Sequence, residues 1–276
     1  MKKTSLFLAL VFGLFLFSSC AKKTPEGDTW ASIQEEKEIT IGLDDTFVPM
    51  GFRDKDGKIT GFDIDLARAV FAQYDIKVNF QPIDWSMKEF ELTNGTIDLI
   101  WNGYTKTPAR AEKVQFTKPY MENDQILVTP KSSNITSFAQ MKGKILGAQN
   151  GSSGFEAFNK QPEVLKNIIK NQEAVLYDSF NEALIDLKSG RIDGLLMDKV
   201  YANYYLKQRG ELDQFNTITG AYESEDFAVG VRKEDDTLVE KINDGIAHLE
   251  ETGEFLKISE KWFGDDVTPH DTAKEN

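Results

Sequence analysis

The chain has 276 residues, with 32 Lys and Arg against 45 Asp and Glu, a formal net charge of −13, one cysteine and two histidines. That acidity excludes a role in neutralising nucleic-acid phosphates, which depends on clustered Lys and Arg, and one cysteine excludes an internal disulfide framework or a cysteine-cluster zinc site. His248 and His270 have no patterned partners, so neither a metal nor a cofactor is expected, while the length allows two domains of about 100 to 150 residues that each bury a core.

The N-terminus reads Lys2-Lys3, an apolar stretch Ser5–Phe17, then Ser18-Ser19-Cys20. A short positive segment, an apolar run too short to span about 30 Å of hydrocarbon, and small residues at its end describe an export signal and not a transmembrane helix. Cys20 after two small residues resembles a bacterial lipobox, which implies that residues 1–19 are a removable lipoprotein signal and that the thiol of Cys20 takes a lipid. The alternative is an ordinary secretory signal that contains a cysteine. Removal of residues 1–19 leaves 30 basic against 45 acidic side chains, net −15. Residues 20–38 are polar, with Pro25 and Gly27 and no sustained apolar period, and read as a tether. One acyl chain anchors marginally and two or three hold, so the globule is expected on the extracellular face of the cell membrane, palmitate-type acylation included.

From Ile39 onward strand and helix periods alternate. Ile39–Leu43 reads as a strand and Asp44–Pro49 as a polar loop. A helix opens at Gly61-Phe62-Asp63 and carries Ile64, Leu66, Ala67, Val70, Phe71 and Tyr74 at three-and-four spacing. Ile76–Phe80 is a strand, Met87–Leu92 a short helix and Ile97–Trp101 a buried strand, giving β-α-β-α-β, the order of a parallel sheet with helices on its faces. The grammar restarts after residue 125: strands at Gln125–Val128, Lys144–Ala148 and Ala174–Tyr177, helices at Ser153–Asn159 and Asn181–Lys188. Gly190-Arg191-Ile192-Asp193-Gly194-Leu195-Leu196 echoes Gly95-Thr96-Ile97-Asp98-Leu99-Ile100, so Asp98 and Asp193 read as architectural repeats in two lobes of one plan. Asp63 and Asp65 read as first-turn acids serving a helix dipole.

A strand at Phe227–Val231 and helices at Leu238–Leu249 and Phe255–Trp262 are too little for a third domain, and are expected to return to the first lobe. Lobe 1 is then 39–124 plus 222–266, lobe 2 is 125–221, and 267–276 is a polar tail. Two connections, near Tyr120–Asp124 and near Gly220–Tyr222, would cross between the lobes as a hinge.

Ligands of open α/β sheets bind beyond the carboxyl ends of the strands. The loops there hold Asp44 and Phe47, Asp84-Trp85-Ser86, Asn102-Gly103-Tyr104-Thr105 followed by Arg110, Gln149-Asn150-Gly151-Ser152-Ser153, and Met197-Asp198. This inventory suits an α-amino acid: Arg110 with Thr105 and Ser152 for the carboxylate, Asp198 for the ammonium, Phe47 and Trp85 flanking the side chain, and Asp44 at a cationic or hydrogen-bonding tip. Asp198 could equally cap the helix that follows it, and the two aromatics could be core residues.

Ile39 to Gly264 resembles the solute-binding proteins of ABC-type polar amino-acid importers. The likeness is carried by Ile41-Gly42-Leu43-Asp44 through Phe47-Val48-Pro49, Gly61-Phe62-Asp63-Ile64-Asp65-Leu66, Asp98 through Thr105 with Arg110, Val114 through Tyr120, and Lys261-Trp262-Phe263-Gly264. The resemblance implies the two-lobed periplasmic-binding-protein-like type II fold, α/β in both lobes, and a pocket lined by Asp44, Phe47, Trp85, Asn102, Gly103, Thr105, Arg110, Gln149, Ser152 and Asp198. It implies an L-amino acid (arginine, lysine, histidine, glutamine or cystine) delivered to an ABC-type permease, without catalysis. Alternatives are an enzyme on the same scaffold, of dehydratase or lytic transglycosylase type, or the ligand-binding domain of a sensor. The enzyme reading is weakened by the absence of an obvious carboxylate pair other than the adjacent Asp44-Asp45.

Overall fold

A computed structural model describes residues 27–269; the signal, Cys20 and most of the tail lie outside them. Two sheets form two lobes. In the first, the strands Lys77–Pro82, Glu38–Leu43 and Leu99–Ile100 run parallel, followed by Gly230–Val231, antiparallel to its neighbours, and Gln115–Phe116. In the second, Val175–Tyr177, Leu146–Gln149 and Gly194–Asp198 run parallel, followed by the antiparallel Gln125–Pro130 and then Phe215–Ile218. The β-α-β-α-β grammar therefore accounts for three strands of each sheet.

The chain enters the fourth strand of each sheet directly from a crossing between the lobes. The crossing strands Met121–Asn123 and Glu225–Phe227 pair antiparallel, Glu225 opposite Asn123. They lie at the carboxyl edges of the parallel strands, as the pairing of Asp198 with Gln125 shows, so a chain leaving them enters each sheet from that edge and must run against its neighbours. The second crossing is thus three residues beyond the expected Gly220–Tyr222. The single strand expected at Phe227–Val231 is divided between hinge and sheet, with the Ala228 N–H donating to the Tyr104 carbonyl at 3.0 Å.

The repeated acids have one architectural use. Asp98 accepts from the Thr40 N–H and Asp193 from the Ile145 N–H, each at 2.8 Å, so each fixes the start of the neighbouring parallel strand.

Two expected boundaries shift. The tether does not extend to residue 38: Trp30–Glu36 is a helix whose Trp30 and Ile33 are buried, and Thr29 donates through N–H and hydroxyl to Asp235, both at 2.8 Å. Two apolar residues in a polar run are too few to show a period, and only the partner surface makes them a helix face. The tail likewise starts later than 267, because Val267 packs on the first lobe's core and donates to Ser259 Oγ at 3.0 Å. The polar loop expected at Asp44–Pro49 begins a small antiparallel sheet of Thr46–Phe47, Gly51–Arg53 and Ile59–Thr60. No helix among the described residues is long and apolar enough to cross a membrane.

Candidate functional site

The loops at the facing carboxyl edges close on each other. Asp44, Phe47, Trp85, Asn102, Gly103 and Arg110 of the first lobe and Gln149, Ser152, Ser153 and Asp198 of the second line one small cavity between the lobes. Contacts across the cleft make this a closed arrangement. Gln149 Nε2 donates to Asp44 Oδ2 at 2.8 Å, Lys88 Nζ to the Gly151 carbonyl at 2.9 Å, and Thr105 Oγ1 to Ser153 Oγ at 3.1 Å.

Arg110 is built in from below. Thr107 caps its short helix by accepting the Arg110 N–H, Pro108 starts that helix, and the guanidinium carbon lies 4.8 Å from the centre of the Tyr104 ring. Nη1 donates to the Thr105 carbonyl at 2.9 Å and Nη2 to the Gly151 carbonyl at 3.1 Å, while Nε lies 3.5 Å from Glu156 Oε2. A guanidinium has five N–H groups, so one N–H on each terminal nitrogen is left for a planar anion.

Ser152 lines the cavity, but its hydroxyl donates to the Gln149 carbonyl at 2.8 Å and accepts the Phe155 N–H at 3.1 Å. It caps the helix Ser153–Lys160 and has no proton for a ligand. What it supplies is the helix entrance, whose first N–H groups have no intrahelical acceptor. Thr105 is buried but is not part of the lining; its hydroxyl lies 3.1 Å from Ser153 Oγ and 3.2 Å from Glu225 Oε2, with one proton to give to either.

Asp198, 4 % exposed, precedes the helix Lys199–Arg209 yet makes no side-chain cap. Its Oδ1 accepts instead from Asn123 Nδ2 at 2.7 Å and Gln125 Nε2 at 2.9 Å. Burial, then the nearby Glu225 charge, pushes its carboxyl up to about 7 against these donors and Arg110. Such an acid, poised near neutrality, gains strongly from a cation. Asp44 is raised by burial and held down by Thr46 and Gln149; its Oδ1 accepts the Thr46 N–H and hydroxyl at 2.9 and 2.7 Å.

Phe47 and Trp85 are both buried, both line the site and have different ring partners. Phe47 meets Phe180 and Tyr201 of the second lobe, at 6.0 and 5.6 Å between ring centres; Trp85 meets Tyr104 edge-on at 6.0 Å. Gly103 adopts φ +56, and a Cβ there would come within 2.7 Å of Phe47, so the loop passes under the ring only as glycine.

Several residues were not singled out by sequence. Ser153 joins the lining and Glu225 arrives on the crossing strand. Asp63, read as a dipole acid only, is fully buried beneath the site and accepts from the Gly103 N–H at 2.6 Å and Tyr120 hydroxyl at 3.0 Å; burial pushes it up to about 7. Lys88 is buried with its amine 5.0 Å from the centre of the Trp85 ring, and burial followed by Arg110 lowers it to about 7. Lys88 shares its buried face with Leu92 alone, whereas Met87 and Phe90 are exposed, so apolar spacing over Met87–Leu92 points to the wrong face, and nothing local marks Lys88 or Glu225. Among the described residues no group of three or more His, Cys, Asp or Glu side chains could hold a metal ion.

Residues 39–265 match the bacterial extracellular solute-binding proteins, family 3. The chain belongs to that family. It is 33 % identical to ABC transporter arginine-binding protein 1 of Escherichia coli K12 over 85 % of this chain and 94 % of that one. It is 30 % identical to the L-cystine-binding protein TcyA of Bacillus subtilis 168 over 97 % of this chain and all of that one. A crystal structure of an ABC uptake transporter substrate-binding protein from Streptococcus pneumoniae, with histidine bound, superposes with a TM-score of 0.87 at 61 % identity, covering 88 % of this chain and 98 % of that one. The binding protein therefore has the two-lobed type II periplasmic fold, is extracytoplasmic, and captures an amino acid for an ABC importer.

Proposed function

We propose that the binding protein is a lipid-anchored receptor for L-histidine or a related cationic amino acid. The observation that carries this reading is that one cavity is lined by Arg110 and by two acids, Asp198 and Asp44. Arg110 and the helix entrance at Ser153 take the carboxylate, and Asp198 takes the ammonium. With the zwitterion's charges matched, Asp44 is left to meet a donor on the side chain, held between Phe47 and Trp85. The histidine bound in the pneumococcal relative supports the choice of a histidine-like side chain. Arginine, lysine, glutamine and cystine are the competing ligands.

Ligand capture brings the loops of both lobes together, and the closed form is what an ABC permease receives. No catalytic step is assigned. Cys20 is the attachment point of the lipid that keeps the receptor at the extracellular face of the membrane.

The deciding experiment is a thermal-shift and calorimetric screen of the mature chain against the twenty amino acids and cystine. A ligand at about 100 times its Kd should stabilise the fold by about 2.7 kcal/mol. Histidine is expected to give the largest shift, and binding of no amino acid would reject the receptor. Mass spectrometry of the recovered ligand separates the enzyme alternative, since turnover would contradict a pure carrier. Cys20→Ala is expected to move the protein from the membrane fraction to the medium and to abolish incorporation of labelled palmitate.

A further inference from the structure

The crossing strand Glu225–Phe227 belongs to neither main sheet, yet its first residue reaches the site. Glu225 Oε2 accepts three hydrogen bonds: from Thr105 Oγ1 of the first lobe at 3.2 Å, and from Ser153 Oγ and Gln125 Nε2 of the second, both at 3.0 Å. Gln125 Nε2 also lies 2.9 Å from Asp198 Oδ1 and 3.1 Å from Ser153 Oγ, so the two protons of one amide nitrogen are shared among two buried carboxylates and a hydroxyl. The charged groups around this pair are Arg110 and its partner Glu156; Asn123 and Gln125 supply neutral donors.

A hydroxyl has one proton and two lone pairs. Thr105 and Ser153 either both donate to Glu225, or one donates to the other and the second donates to Glu225. In each case the protons run toward Glu225, and what a ligand meets at the lining Ser153 Oγ is a lone pair, one that Gln125 Nε2 at 3.1 Å otherwise fills. A ligand carboxylate cannot use it, whereas an ammonium can. This rests on the amino-acid reading above and changes the part Thr105 plays in it.

We propose that Glu225 is a positioning residue for ammonium recognition: together with Thr105 behind the lining, it turns the lining Ser153 hydroxyl into an acceptor and adds a second negative charge beside Asp198. The cavity thereby selects α-amino acids over their deaminated counterparts. Because the arrangement joins Thr105 to Ser153 and Gln125 only when the lobes meet, the selection operates in the closed state. Burial raises Glu225, and Glu225 in turn helps to raise Asp198. A bound cation favours both ionised acids, so affinity for an amino acid falls as pH drops through the neutral range.

The test titrates wild type and Glu225→Gln with L-histidine and with 3-(imidazol-4-yl)propanoate, which lacks only the ammonium, near pH 6 and near pH 8. Glu225→Gln is expected to weaken histidine about tenfold at the higher pH. The gap should narrow at the lower pH, because without the Glu225 charge Asp198 protonates later. Affinity for the deaminated probe should stay the same or rise. Equal weakening of both probes with parallel pH profiles would overturn the proposal and leave Glu225 a structural residue. If Glu225→Gln does not fold, Ser153→Ala and Thr105→Val carry the test, since each should weaken histidine and spare the deaminated probe; equal losses would overturn it. Failure of wild type to bind any amino acid is a separate result, and overturns the receptor reading together with this inference.

Discussion

Gly151→Ala should damage ligand binding more than it damages the fold. Gly151 adopts φ +72, where a side chain is strained by about 1 to 2 kcal/mol whether the cleft is open or closed. A Cβ there would also lie 2.9 Å from Ser86 Cα and 3.3 Å from Ser86 N and the Trp85 carbonyl. Those atoms are backbone of the other lobe, so this second cost exists only when the lobes meet. Overpacking against backbone costs about 1 to 3 kcal/mol, which corresponds to about a 5- to 150-fold loss of affinity. The Gly151 carbonyl also accepts from Lys88 and Arg110, and a displaced loop would disturb both. Calorimetric titration with histidine gives the affinity, and denaturant unfolding without ligand gives the stability. Gly143→Ala is the control: its φ of +71 brings the same backbone strain, but no atom lies within 4 Å of its Cβ, so affinity should be unchanged. Wild-type affinity in Gly151→Ala, or an equal loss in Gly143→Ala, would refute closure across this contact.

Three other outcomes follow from the site. Arg110→Ala should weaken ligand binding by about 2 to 5 kcal/mol, because it leaves a buried carboxylate unpaired; retained affinity by calorimetry would reject the clamp. Asp44→Asn should weaken histidine and arginine by about 10- to 150-fold, the worth of a charge-assisted hydrogen bond, while leaving glutamine nearly unchanged; equal losses for all three would place Asp44 away from the side chain. Asp63 has a folded-state pKa of about 7, above the usual carboxylate value. The folded state therefore holds its proton through the window between the two values, and stability falls as pH rises from about 4 to about 7. Asp63→Asn should flatten part of that slope in melting curves, since its amide oxygen can still accept from Gly103 and Tyr120; an unaltered slope would mean that Asp63 titrates normally.

Much of the architecture was written locally. The apolar periods of Phe62–Ala72, Asp236–Glu251 and Gly194–Asp198 were legible because one element supplies the whole signal. So were the pocket loops, because strand ends carry their own polar residues. The helix Trp30–Glu36 was not legible: two apolar residues make a face only when another surface covers them. Asp63 was read as a dipole acid because a sequence shows the helix start but not the Gly103 N–H above it.

By itself, the sequence determined two α/β lobes, the crossing near Tyr120–Asp124 and the loops that line the cavity, though it put Thr105 in the lining in place of Ser153. Only the tertiary structure decided how those residues divide their protons. Ser152 commits its hydroxyl to a helix cap, Asp198 declines the cap next to it, and Glu225 enters the site from a strand more than a hundred residues beyond Thr105 in the chain. A hydrogen-bond network is set by which donors and acceptors meet when the lobes close, and that meeting has no local trace in the chain.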